Sequence, residues 1–214
     1  MTKEKAGKVF EALSALYPDA RAELHFSNPF ETLIATILSA QCTDRRVNMV
    51  TETLFRDYPN AEEMSKLTQE QLENRIKECG LFRLKAKHIL EACRILTEKF
   101  RGKVPDNRKD LMSLPGVGQK TAGVVLLAAF GDDQIPVDTH VFRVSNRIGL
   151  AKANTPEKVE KQLTEVIEPG ERSHSHHLLI WHGRRICSAR NPNCENCPLS
   201  DGLCEKNMNF KECT

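Results

Sequence analysis

The sequence predicts an all-α protein. Apolar residues recur at helical spacing along nearly the whole chain, no segment shows the strict alternation of a half-buried strand, and the gaps between stripes hold caps and turn residues. The first stripe is Val9, Phe10, Leu13, Leu16 and Tyr17. Pro29 suits the first position of a helix that continues through Phe30, Leu33, Ile34, Ile37 and Leu38. Asp44 is a candidate cap for the next helix, with Val47, Val50, Leu54 and Phe55 inward. Thr68 and Gln71 have capping-box spacing ahead of Leu72 and Ile76. A longer helix is expected from about Leu84 to Lys99, burying Ile89, Leu90, Cys93 and Leu96. A short helix should lie near Asn107 to Met112 and an apolar one from Gln119 to Phe130. Thr155–Pro156 opens another, with Val159, Leu163, Val166 and Ile167 on one face.

Composition narrows the class. The 214 residues carry 31 basic and 29 acidic side chains, a formal charge of +2, and 40% are hydrophobic. That balance fits a globular protein and excludes a charged disordered tail. The longest apolar run, Val124 to Phe130, is far too short to span a bilayer, so no membrane association is expected. The basic N-terminus lacks an apolar core, so no signal peptide is expected either. Eight cysteines are too few for a disulfide scaffold. Cys42, Cys79 and Cys93 sit in apolar helical patterns and read as buried, inert thiols.

Three features carry chemistry. Leu114-Pro115-Gly116-Val117-Gly118 joins two helices in a tight hairpin, whose backbone amides at a helix N-terminus suit a phosphate. A bare PGxG turn more often only connects helices. Here Lys120 follows in the first turn of the second helix. Val137-Asp138-Thr139-His140 places a carboxylate at a helix N-cap. Cys187, Cys194, Cys197 and Cys204, spaced by six, two and six residues, form a cluster in a loop-like tail that could hold zinc or iron–sulfur. Cys213 is a weaker alternative ligand. His174, His176 and His177 read as structural or solvated rather than metal-binding.

The segments SNPFETLIATILSAQCTD, LPGVGQKTAGVVL and IPVDTHVFRVSNRIGL, with the terminal cysteine cluster, together resemble the endonuclease III family of helix-hairpin-helix DNA glycosylase/AP lyases. The resemblance runs from about residue 25 to 204. It implies two helical domains with a DNA cleft between them. A six-helix domain would span 23–132, and an iron–sulfur domain would join 1–22 to 133–214, with Gly131 to Val137 as the crossing. It also implies removal of oxidised pyrimidines from duplex DNA, followed by β-elimination at the abasic site.

The resemblance makes Lys120 the Schiff-base nucleophile. Such an amine must be neutral, and an ordinary lysine is neutral in only about one molecule in a thousand near pH 7.4. The helix dipole and partial desolvation in a cleft both oppose the ammonium form. Asp138 would assist the lysine and stabilise positive charge on the sugar. A base in a duplex must be flipped out to be reached. The resemblance assigns Gln41 to the void and Leu81 to an apolar wedge, with Asp44 and His140 as candidates for the base pocket. Leu114, Gly116, Val117 and Gly118 would contact DNA through the hairpin, and Arg184 and Arg190, with Arg185 and Lys206, beside the cysteine loop.

It favours [4Fe–4S] over zinc, although the last cysteine interval is one residue longer than the family's usual five, a difference Gly202 could absorb. A monomer in a bacterial cytoplasm is expected. The competing readings are an adenine-mismatch glycosylase, a non-catalytic helix-hairpin-helix module and an iron–sulfur electron carrier.

Overall fold

The computed structural model describes residues 2–206, and every regular element among them is a helix. In chain order these are α1 (Lys3–Leu16), α2 (Pro29–Ser39), α3 (Asp44–Asp57), α4 (Ala61–Ser65), α5 (Gln69–Ile76), α6 (Phe82–Phe100), α7 (Arg108–Leu111), α8 (Gln119–Phe130), α9 (Thr139–Ile148), α10 (Pro156–Val166) and α11 (Arg172–Arg185). None is long and apolar enough to cross a membrane. The chain divides into two compact units, Ala22–Asp132 and Met1–Arg21 with Asp133–Thr214.

The Ala22–Asp132 unit is built around α2. Asn28 caps it by accepting from the Glu31 amide, Pro29 opens it, and every residue from Phe30 to Leu38 except Glu31 is buried. It packs against α3 and α8, while α6 takes α4 and α5. This unit holds seven helical segments, of which α4 and α7 are only five and four residues long. Thr43, not Asp44, caps α3: its Oγ1 accepts from the Arg46 amide at 3.4 Å. Asp44 is the first helical residue, where its carboxylate still faces the positive dipole end. The Thr68–Gln71 capping box is complete in both directions. Lys85, 4% exposed, donates from Nζ to the Leu38 carbonyl in the last turn of α2 at 2.8 Å. There a cation meets the negative helix end, although burial pushes this lysine below its ordinary pKa.

In the second unit, α1 packs on α11, and α9 packs on both α11 and α10. The inward stripe of α1 is Ala6, Val9, Leu13 and Tyr17; Leu16, expected inward, is 41% exposed. α9 is buried from Val141 to Ile148, including both of its arginines. α11 carries the histidine tract, and its buried residues include Ser175, His176 and His182. His174 Nε2 lies 3.1 Å from Ser14 Oγ. Burial, helped by His174, pushes His177 down to about 4. Its folded pKa is below the unfolded value of about 6.5, so the unfolded chain binds the extra proton between those limits. The stabilisation is complete above the unfolded pKa and is lost as pH falls towards the folded one. The unfolding free energy from urea titration should therefore drop from neutral to acid pH by up to about 3 kcal/mol more for wild type than for His177→Gln. Parallel pH profiles would show that this histidine plays no such part.

Candidate active site and cysteine loop

The hairpin between α7 and α8 is a type II turn. Pro115 and Gly116 occupy its centre, Gly116 has φ +79°, and the Val117 amide donates to the Leu114 carbonyl at 3.1 Å. A Cβ on Gly116 would lie 3.1 Å from His88 Nδ1 on α6, so the turn requires glycine for its backbone angle and for space. Gly116→Ala should cost roughly 1–2 kcal/mol, read as a lower thermal midpoint, with weakened DNA binding; an unchanged midpoint would show the turn tolerates a side chain. Gly118 is the N-cap of α8 and supplies no side-chain acceptor, so no cap side chain occupies the first-turn amides. Leu114 and Val117 are 2% and 7% exposed and belong to the apolar core. Only their backbones can meet a ligand.

Lys120 projects from the first turn of α8 and is exposed. Beside it, Gln119 Oε1 accepts from Arg108 at 2.9 Å, tying α7 to the start of α8. Asp138 caps α9: its Oδ1 accepts from the Val141 amide at 2.8 Å, which fixes the direction of the half-buried carboxylate. His140, the second residue of α9, accepts at Nδ1 from the Arg143 guanidinium at 3.2 Å. Burial holds its pKa below the ordinary range, against the opposing pull of Asp138.

Gln41 and Leu81 share an uncommon backbone state. Both have positive φ, 52° and 59°, without being glycine. Such residues are held there by their surroundings at a cost of order 1 kcal/mol each. Both are exposed, Leu81 to 54%, so core packing does not explain the leucine. Their loops touch: a Cβ on Gly80 would sit 3.1 Å from the Gln41 carbonyl oxygen. Asp44 lies on the wall of an open groove of about 820 Å³ that also takes in Glu23, His25, Arg45, Asn48 and Met49.

The tail after α11 is held by groups that the sequence did not single out. Arg143 Nε donates to the Cys187 carbonyl at 3.1 Å. Arg147, 1% exposed, donates to the carbonyls of Ser188 and Ala189 at 2.7 and 2.8 Å and lies 3.6 Å from Cys187 Sγ. His182 Nε2 is 3.6 Å from Cys197 Sγ, and its Nδ1 is 3.3 Å from the Tyr17 hydroxyl. Cys187, Cys194, Cys197 and Cys204 line one small cavity with Arg147 and His182. The longer last interval folds back at Gly202, φ +85°, and the Cys204 amide donates to the Leu199 carbonyl at 2.9 Å. Burial raises the Cys197 and Cys204 thiols above their ordinary range, so holding them as thiolates calls for a cationic centre. Among the described residues, no three His, Cys, Asp or Glu side chains converge on a single metal ion. Four cysteine sulfurs around one cavity are a set of soft donors suited to iron–sulfur or zinc. Cys213 lies outside the described residues. Arg184, Arg185, Arg190 and Lys206 are exposed, and Arg185 stacks 3.8 Å over Trp181.

Residues 34–169 match the model of the HhH-GPD superfamily base excision DNA repair proteins, and residues 187–204 match the iron–sulfur binding domain of endonuclease III. Endonuclease III of Rickettsia conorii is 47% identical over 99% of this chain and 100% of its own. The chain belongs to the endonuclease III family. Endonuclease III of Escherichia coli strain K12 is 45% identical over 96% of this chain and 97% of its own. A trapped endonuclease III–DNA covalent intermediate superimposes with TM-score 0.91 at 44% identity, covering 96% of this chain and 97% of the other. This family member is a base-excision-repair DNA glycosylase that binds DNA and carries an iron–sulfur binding domain in its cysteine tail.

Proposed function

We propose that this glycosylase removes oxidised pyrimidines from duplex DNA and then cuts the strand, with Lys120 as nucleophile. The supporting observation is an exposed lysine in the first turn of a helix whose N-terminal amides no cap side chain takes up. Those amides, reached past Gly116 and Gly118, bind a backbone phosphate and so bring the lysine to the sugar. The neutral Lys120 Nζ attacks C1′; the new C–N bond forms as the glycosidic bond breaks and the base leaves. Ring opening gives a Schiff base. Loss of a C2′ proton then expels the 3′ phosphate.

Asp138, oriented by its capping bond, stabilises the positive charge that develops on the sugar and assists deprotonation of the lysine. Gln41 fills the gap left by the flipped nucleotide and Leu81 wedges the stack apart. Asp44 and His140 contribute to the base pocket, and Arg184 and Arg190 meet phosphates. Cys187, Cys194, Cys197 and Cys204 hold a [4Fe–4S] cluster, which supplies a covalent anchor for a segment without helix. The enzyme acts as a monomer in the bacterial cytoplasm, where the DNA of the bacterial relatives lies.

Duplexes carrying one thymine glycol or one abasic site test this reading. Scission on the 3′ side of both lesions is expected; binding without scission would overturn it, and adenine release from mismatches would favour the mismatch reading. Asp138→Asn keeps a capping residue but removes the charge. Both the glycosylase and lyase rates should fall by about 10²-fold or more. Unchanged rates would remove Asp138 from the chemistry.

A further inference from the structure

Cys79 and Cys93 are buried as expected, whereas Cys42 is half-exposed. A sulfur of the tail, Cys197 Sγ, ends a chain of buried polar groups that the chemistry above leaves unused. Tyr17 stands at the end of α1 and is 4% exposed, and His182 on α11 is 1% exposed. The Tyr17 hydroxyl lies 3.3 Å from His182 Nδ1, and His182 Nε2 lies 3.6 Å from Cys197 Sγ. The three groups run without a break from the N-terminal helix to the wall of the cysteine cavity. Tyr17 is itself held in place. Its amide donates to the Leu13 carbonyl at 2.8 Å, and Trp181 meets its ring edge-on with centroids 6.1 Å apart. Trp181 Nε1 donates to the Arg21 carbonyl at 3.1 Å, which ties the segment after Tyr17 to α11 as well.

We infer that His182 is a positioning residue for the iron–sulfur group: its Nε2–H donates to Cys197 Sγ, in the tautomer set by the Tyr17 hydroxyl, and this bond makes the group easier to reduce. Its role toward that group rests on the reading of the four cysteines as cluster ligands. A cysteine sulfur that binds metal is a thiolate, which only accepts. His182 therefore bonds it through a proton on Nε2. In a neutral imidazole the other nitrogen is then an acceptor, and the tyrosine hydroxyl, able to donate or accept, donates to it. Two other tail sulfurs have donors of their own. Arg147 lies 3.6 Å from Cys187 Sγ, and the Lys206 amide donates to Cys204 Sγ at 3.3 Å. A guanidinium and a backbone amide carry fixed protons, whereas an imidazole proton can sit on either nitrogen. Tyr17 removes that freedom. An electron added to the group increases the negative charge on its sulfurs, so an N–H aimed at one of them stabilises the reduced form more than the oxidised one.

Film voltammetry of the full chain, purified with its iron–sulfur group, tests this through the one-electron potential. His182→Met removes the donor and should make reduction about tenfold less favourable, a potential about 59 mV more negative. His182→Gln places an amide N–H near the position of Nε2 and should restore most of that loss. Tyr17→Phe keeps the ring in its apolar setting and should shift the potential the same way by a smaller factor, roughly threefold. In the His182→Met background Tyr17→Phe should add nothing, because the hydroxyl acts through the imidazole. Unchanged potentials in His182→Met and Tyr17→Phe, at wild-type iron content, would overturn the inference. An equal Tyr17→Phe shift in both backgrounds would overturn the tautomer assignment. Should His182→Met lose its iron, Tyr17→Phe decides alone, and no shift would overturn the inference. Wild-type protein purified with zinc and no iron would instead overturn the cluster reading, and with it any effect of His182 on a potential.

Discussion

Lys120→Ala should yield a folded protein that still binds abasic DNA but neither forms a borohydride-trapped adduct nor cuts the strand. The side chain is exposed and alanine is the best helix former, so α8 and its hairpin should persist. In the proposed mechanism the missing group is the nucleophile itself, and the loss of strand scission should be at least about 10³-fold. Lys120→Arg should be as inactive, because guanidinium stays protonated. Trapping that survives the alanine substitution would assign the Schiff base to another amine. The separation of binding from cutting matters most, because in the proposed mechanism the phosphate is held by backbone amides that the substitution leaves in place.

Cys204→Ser should strip most of the iron from the purified protein and bleach its visible absorbance. The segment from Cys187 to Cys204 contains no helix and buries one large apolar side chain fully, Leu199. Its order comes from the carbonyls held by Arg143 and Arg147 and from whatever joins the four thiols. Loss of that joint should cost several kcal/mol, lowering the thermal midpoint by roughly 10 °C. Cys204 is the informative position because its interval is the longer one and depends on the left-handed Gly202. If the variant kept its iron, the last ligand would lie elsewhere, and Cys213 would be the remaining cysteine of the tail.

Where local chemistry determines structure, the sequence was readable. The Thr68–Gln71 box, the prolines at 29 and 156 and the span of α8 all follow from capping and proline geometry. α11 escaped notice because its buried side includes serine and histidine and its N-cap offers no side-chain bond. Arg143 and Arg147 escaped for a related reason. Arginine is ordinarily exposed, and only the folded tail supplies the carbonyls that make its burial favourable. The positive φ of Gln41 and Leu81 had no glycine to announce it. Asp44 was misplaced by a single position, since adjacent threonine and aspartate compete for the same cap.

The open first turn of α8 bears on how the enzyme behaves in salt. A lysine that neutralises a phosphate releases condensed counterions, so each such contact makes affinity fall with ionic strength. An amide dipole aimed at a phosphate carries no net charge and contributes little to that slope. On the proposed reading, a protein of nearly balanced charge that holds DNA at its glycine hairpin would search weakly along the duplex yet keep its grip at the lesion when salt rises.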